Sequence, residues 1–219
     1  VVKRLFVFFG GSDSENMTSK VLKSLQKKEF SQLDVDVVLG GTNPYRKIIE
    51  KLVKDRPRTS LHVQVDNIAE LMSKADLALC AGGSSTWERF CVGLPSLVVS
   101  IAANQESSMR DLNKDGFLRW LGTSKNVHTN VLCTELTQAL QDTERNKQES
   151  EMGMLLVDGL GTLNVSKILL RGPIPERFFI RNTVEADCRL FWNWANDPDV
   201  RKNAFNSETI PWEKHKKWF

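Results

Sequence analysis

The stretch that decides the fold runs from Ala75 to Gln105, ADLALCAGGSSTWERFCVGLPSLVVSIAANQ. Leu77-Ala78-Leu79-Cys80 is a short apolar run of the kind that forms a strand covered on both faces. Gly82-Gly83 turns the chain, and Ser84-Ser85-Thr86 offers helix-opening residues directly after it. The helix ends near Gly93, Pro95 restarts the chain, and Leu97-Val98-Val99 forms the next buried strand. The unit is strand, helix, strand, with glycines in its first turn. Such a turn lets a phosphate rest on backbone N–H groups.

Upstream, the same grammar repeats. Residues 3–11 form an apolar strand ending in Gly10-Gly11, and Ser12-Asp13-Ser14 then supplies capping residues for a helix carrying Val21, Leu22 and Leu25. Val35 to Leu39 is a second strand ending in Gly40-Gly41. Asn43 is expected to cap the next helix, with Pro44 at its first position and Ile48, Ile49, Leu52 and Val53 on its apolar face. A third strand lies near Leu61 to Val65, followed by a helix capped by Asn67.

Downstream of Gln105 the pattern predicts a helix to about Leu112, turns at Gly116 and Gly122, and a short segment around Val127. A helix over Glu135 to Lys147 follows, then helical pieces from Ser150 to about Leu170 broken at Asp158-Gly159. Strands alternating with helices at least four times indicate an α/β fold with a parallel sheet. Gly172-Pro173-Ile174-Pro175 marks a boundary. The aromatic-rich remainder reads as a strand at Phe178 to Ile180, a helix from Ala186 to Trp194 and another from Pro211 onward. About forty-five residues cannot build an independent core unaided, so this tail is the opening of a second domain or packs on the first. The chain opens on a strand without Met and stops at Trp218-Phe219 inside a helix-like stretch, which reads as a piece of a longer protein.

Composition narrows the function classes. With 219 residues, 41% hydrophobic and 26% charged, the chain has the make-up of a globular protein. A net charge of +3, without a basic run, argues against nucleic acid as a partner. No apolar run reaches the ~18 residues of a membrane span. Cys80, Cys91 and Cys133 lie in apolar contexts and Cys188 further on, without metal-like spacing; the first three read as reduced core thiols of a cytoplasmic protein.

Three glycine-bearing turns could each bring N–H groups to a phosphate, because glycine permits close approach. None matches G-x-G-x-x-G or the P-loop, which disfavours dinucleotide or ATP binding of those kinds. Ser85-Thr86-Trp87-Glu88 fits a capping box, and on spacing alone Glu88 is read as the cap. The alternative is that its carboxylate accepts two ribose hydroxyls. Asn104-Gln105 lies where sheet ligands bind and suits sugar hydroxyls, or Asn104 caps a helix. Asp13 supports a pyrophosphate loop or caps its own helix. His62 reads as structural, His128 has no companion, and no catalytic set assembles.

FVFFGGSD, VVLGGTNP, the Asn67–Gln105 stretch and the late VDGLGT together resemble the C-terminal, Rossmann-like half of a GT-B enzyme. The likeness is to the UDP-sugar hydrolase of pseudaminic acid biosynthesis and related spore-coat polysaccharide proteins. AGGSSTWE with GLP also resembles the UDP-holding segment of the peptidoglycan N-acetylglucosaminyl transferase. The resemblance implies a UDP-sugar partner over residues 1–171, with no cofactor. It implies diphosphate contacts at Gly10, Gly11, Ser12, Asp13, Gly82, Gly83, Ser84 and Ser85, and ribose at Glu88. Uracil would lie along the backbone from Val65 to Ile68, and the sugar near Asn104 and Gln105. The family's proposed catalytic His belongs to an N-terminal half with no counterpart here, so no catalytic residue is named. Residues 172–176 read as a linker. Residues 177–219 resemble the opening of a GNAT N-acetyltransferase, a partial α+β segment whose complete form implies acetyl-CoA. Release of UDP by water is the expected reaction. A UDP-dependent glycosyltransferase, or an inactive UDP-binding or dimerisation module forming a homodimer, are the alternatives.

Overall fold

The computed structural model describes residues 1–171, 181–202 and 207–219. Two compact units result, Val1–Ser166 and Lys167–Phe219. In the first, strands β1 (Arg4–Phe8), β2 (Asp34–Leu39), β3 (Thr59–Val63), β4 (Leu77–Ala81), β5 (Ser96–Ser100) and β6 (Arg119–Thr123) form one sheet in the order β3-β2-β1-β4-β5-β6. Every pairing is parallel. The Rossmann-like expectation is therefore met.

Helices cover both faces, which is why the central strands are apolar along their whole length. Leu5, Val7 and Phe9 point to one face and share a core with residues of α1 (Met17–Ser24), α2 (Arg46–Lys54) and α6 (Thr129–Gln141). Phe6, Ala78 and Cys80 point to the other, against α3 (Ile68–Ser73). Val98 meets Phe90 of α4 (Ser85–Cys91) and Met109 of α5 (Glu106–Lys114) there. The chain winds outward from β1 to β3, returns over the sheet through α3, and winds the other way from β4. The reversal between β1 and β4 opens a crevice at the carboxyl ends of those two strands.

Several local expectations shift. The helix expected at Asn43-Pro44 starts at Arg46, because Asn43 Oδ1 accepts from the Tyr45 amide at 2.8 Å and forms a turn instead. Gly122, expected as a turn, lies inside β6 at φ +110°, where the register against β5 slips between Val98 and Val99. The single helix expected over 135–147 is two, α6 and α7 (Thr143–Leu156), separated where Asp142 caps the Arg145 amide at 3.1 Å. Asp158-Gly159 does break the helical run, before α8 (Gly161–Arg171). Cys91 is exposed rather than core, since α4 buries Thr86, Arg89 and Phe90 and leaves Trp87, Glu88 and Cys91 on its other face.

The second unit contains α9 (Cys188–Ala195), α10 (Pro198–Lys202) and α11 (Trp212–Trp218). Arg189 lies between Trp192 and Trp212, at 4.6 and 4.8 Å from the two ring centroids. The buried His215 ring bonds the Cys188 carbonyl at 3.0 Å. The expected linker and the strand at Phe178 to Ile180 lie outside the described residues. Among those residues no helix is long and apolar enough to cross a membrane.

Candidate functional site

Register places the three glycine turns at one level. Phe8 pairs with Val38 on one side and Cys80 on the other. Gly10, Gly40 and Gly82 each follow two residues later, so the three turns leave neighbouring strands together, ~4.8 Å apart from strand to strand. The Gly82-Gly83 turn therefore stands beside the Gly10-Gly11 turn, with Gly40-Gly41 on its far side.

They are not equivalent. Gly10 has φ +81°, and a side chain at Gly10 or Gly11 would meet open space. A Cβ on Gly40 would fall 2.2 Å from the Gly11 carbonyl oxygen, and the Gly41 amide donates to Gln64 Oε1 at 2.9 Å. The Gly40-Gly41 turn is closed by its neighbours. Gly82 is also a packing glycine. A Cβ there would lie 2.4 Å from Met109 Cγ, and its amide donates to the Val99 carbonyl at 3.2 Å. Gly83 is half-buried, and a Cβ there would meet only Gln105 Nε2 at 3.7 Å.

Asp13 is spent on its own helix. Its carboxylate accepts from the Met17 and Thr18 amides at 2.8 and 2.9 Å and is 1% exposed. Burial pushes its pKa up against those hydrogen bonds. Of its two readings, the structure shows the cap, and an anion gains nothing from the two amides it occupies. Ser12 is exposed beside the open Gly10-Gly11 turn.

Glu88 goes the other way. The helix cap is Ser84, with no side-chain cap hydrogen bond, and Ser85 already lies within the helix. Ser85 Oγ instead accepts from Arg89 Nη1 at 3.1 Å. The capping box is one residue out of register and does not form. Glu88 is exposed, and its carboxylate has no hydrogen bond or salt bridge among the described residues. Asn104, read alternatively as a cap, caps nothing: the short turn Ala103–Gln105 is capped by Ala102 and α5 by Gln105, and Asn104 is exposed. Gln105 Oε1 accepts from the Ile101 amide at 2.9 Å, and its Nε2 lies 3.7 Å from where a Gly83 Cβ would stand. That amide group therefore borders the Gly83 bend. Val65 and Ile68 are half-buried and pack against the cluster that contains Phe8, the last residue of β1.

The glycosyltransferase family 28 C-terminal domain matches residues 4–155. This chain belongs to that family. The family 28 domain is similar to the spore coat polysaccharide biosynthesis protein SpsG of Bacillus subtilis, 27% identical over 76% of this chain and 50% of that protein. An uncharacterised Methanocaldococcus jannaschii protein is 24% identical over 99% of this chain and 43% of its own length. The chain thus spans about half the length of the curated relatives it matches. Among solved structures, Acinetobacter baumannii MurG superposes with a TM-score of 0.63 at 15% identity, covering 78% of this chain and 50% of that one. A Neisseria meningitidis UDP-GlcNAc 2-epimerase bound to UDP-GlcNAc gives 0.59 at 19%, covering 78% and 44%. At these identities the structures establish the fold.

Within the family 28 domain one residue at the crevice escaped the sequence reading altogether. Arg89 is fully buried behind the Gly82-Gly83 bend, against Cys80 of β4. A basic residue in a helix carries no signal of burial. The small polar residues Ser85, Thr86 and Ser96 that solvate it were the available hint. A cavity of about 840 Å³ in the second unit, beside Arg189, Trp212 and Phe219, is lined by none of the corner residues.

Proposed function

We propose that the first unit is the nucleotide-sugar-binding half of a UDP-dependent glycosyltransferase of polysaccharide biosynthesis. The observation that carries this reading is the pair of open corners, Gly10-Gly11-Ser12 and Gly83-Ser84-Ser85, side by side at the reversal of strand order. In such sheets the ligand lies across that crevice. The diphosphate lies between the two corners, the ribose against Glu88 and the uracil along the backbone from Val65 to Ile68. The sugar extends toward Asn104, with Gln105 shared between sugar and diphosphate.

Chemically, breaking the bond between sugar and phosphate leaves negative charge on the departing diphosphate. Backbone amides and hydroxyl donors fixed around it lower that barrier. No proton-transferring group is assigned to this half; His62 is held by Asp36 at 2.8 Å, on the strand β3. Membership of a glycosyltransferase family and the likeness to a spore coat polysaccharide biosynthesis protein favour transfer of the sugar to an acceptor. The hydrolase and pseudaminic acid expectations draw no support from them. The family match ends at residue 155, so an acetyltransferase over 177–219, with acetyl-CoA as cofactor, rests on the sequence likeness.

Calorimetric titration with UDP tests the site. We expect saturable binding, weakened about tenfold by Glu88→Ala, the worth of a charged hydrogen bond. Stability should change by less than about 0.5 kcal/mol, since the exposed Glu88 carboxylate makes no hydrogen bond or salt bridge among the described residues. Absence of heat at millimolar UDP from the folded protein rejects the reading. An assay of the parent enzyme separates the chemistries: a transferase releases UDP in step with an acceptor, a hydrolase without one.

A further inference from the structure

Arg89 is 0% exposed and forms no salt bridge among the described residues. Its ionisable neighbours are Cys80, a buried thiol whose pKa is pushed up, and the exposed Glu88, whose carboxylate favours the guanidinium charge without forming an ion pair with it. Three hydroxyls solvate the guanidinium instead: Nε donates to Ser96 Oγ at 2.9 Å, Nη2 to Thr86 Oγ1 at 3.0 Å and Nη1 to Ser85 Oγ at 3.1 Å. A guanidinium only donates, so each hydroxyl must place its own proton elsewhere. Ser96 donates to the Leu94 carbonyl at 3.0 Å, and Thr86 faces Met109 Sδ at 4.0 Å. The Ser85 proton has no acceptor among the described residues, and Ser85 is the one of the three that is not buried. Gln105 repeats the logic. Its carbonyl oxygen is occupied by the Ile101 amide, which leaves its NH₂ group as a donor beside Gly83.

We propose that Arg89 is a positioning residue for the diphosphate. It engages the Ser85 lone pair from behind, so that the Ser85 hydroxyl presents its proton to the phosphate, and its buried positive charge strengthens that bond. Gln105, locked by Ile101, supplies a second fixed donor on the same bend. The inference rests on the nucleotide-sugar reading and deepens it, since it assigns the specificity for a diphosphate over a bare nucleoside.

The test is titration of the full chain with UDP and, separately, with uridine, for wild type, Ser85→Ala, Arg89→Met, Arg89→Lys and the Ser85→Ala/Arg89→Met pair. Ser85→Ala and Arg89→Met are each expected to weaken UDP about tenfold or more and to leave uridine within about twofold. The pair should be little weaker than Arg89→Met alone, because both changes remove one donor path. Arg89→Lys, which keeps the charge, should recover part of the loss. If Arg89→Met does not fold, Ser85→Ala and Arg89→Lys decide. UDP affinity unchanged in Ser85→Ala overturns the proposal, as does an equal loss of UDP and uridine in a folded Arg89 variant. Wild-type protein that binds uridine but gains nothing from the diphosphate rejects the positioning role while leaving a nucleoside site. Wild-type protein that binds neither rejects the nucleotide-sugar reading itself.

Discussion

Asp13 lies at φ 40°, in the left-handed region, with a buried carboxylate turned onto two amides of its own helix. Burial is the larger influence and raises its pKa above the ordinary 3.8. The folded state therefore holds this proton more tightly than the unfolded chain. Its contribution to stability is fully present below 3.8 and is lost as pH rises through the folded value. That slope is opposite to ordinary acid denaturation. Asp13→Asn removes it while keeping one cap acceptor. Urea denaturation at several pH values just above 3.8 should show wild type gaining less stability with rising pH than the variant does. Equal slopes would mean that the carboxylate is ionised without penalty. Residue types were legible here, but not their allegiance. Asp13 and Glu88 both read as possible caps, and on that point the structure gives opposite answers: Asp13 accepts from two amides of its own helix, and Glu88 caps nothing. The difference is one residue of helix register at Ser85 and the depth at which Asp13 is buried.

Among the elements, α7 is held to the sheet by a charged contact. Glu149 is 1% exposed, and its Oε1 lies 2.9 Å from Arg145 Nε and 3.4 Å from Arg119 Nε. Arg119, at 6% exposure, also donates to Asn146 Oδ1 at 2.7 Å. Gly153 lets α7 approach α4, where a Cβ would stand 3.2 Å from Phe90 Cα. Removing one partner of a buried pair strands the other, which costs about 3–5 kcal/mol. Glu149→Ala should lose stability of that order, and Glu149→Gln, which can still accept from Arg119, distinctly less. Chemical denaturation measures both, and a loss below about 1 kcal/mol for the alanine variant would show that water replaces the carboxylate. The sequence reading merged α6 with α7 and missed β6. Asp142 and Gly122 were both visible, yet a cap inside a polar helical run and a glycine inside a bulged strand look like a continuation and a turn.

At the scale of the whole molecule, the chain divides near Ser166, a few residues before the boundary expected at Gly172. The corners, their neighbours and the family match all fall within the first unit. A chain ending at residue 171 should therefore unfold cooperatively and bind UDP within about twofold of the longer protein. Circular dichroism and calorimetry check the two halves of that statement. A large loss of affinity would place part of the nucleotide site beyond Ser166.

The sequence by itself determined the parallel α/β architecture, because apolar strand runs and glycine turns are local features repeated often enough to exclude other folds. It also located the crevice-facing turns, since the ends of strands in such a sheet are ordered by the pattern of crossovers. Only the tertiary structure decided which turns are open. Gly40 is covered by the Gly11 carbonyl and Gly82 by Met109, and each cover comes from a segment 27 or 29 residues distant in the chain. It alone revealed that Arg89 is buried behind the bend. Whether a donor faces a ligand depends on which acceptors packing brings to it, and that is a property of neighbours in space.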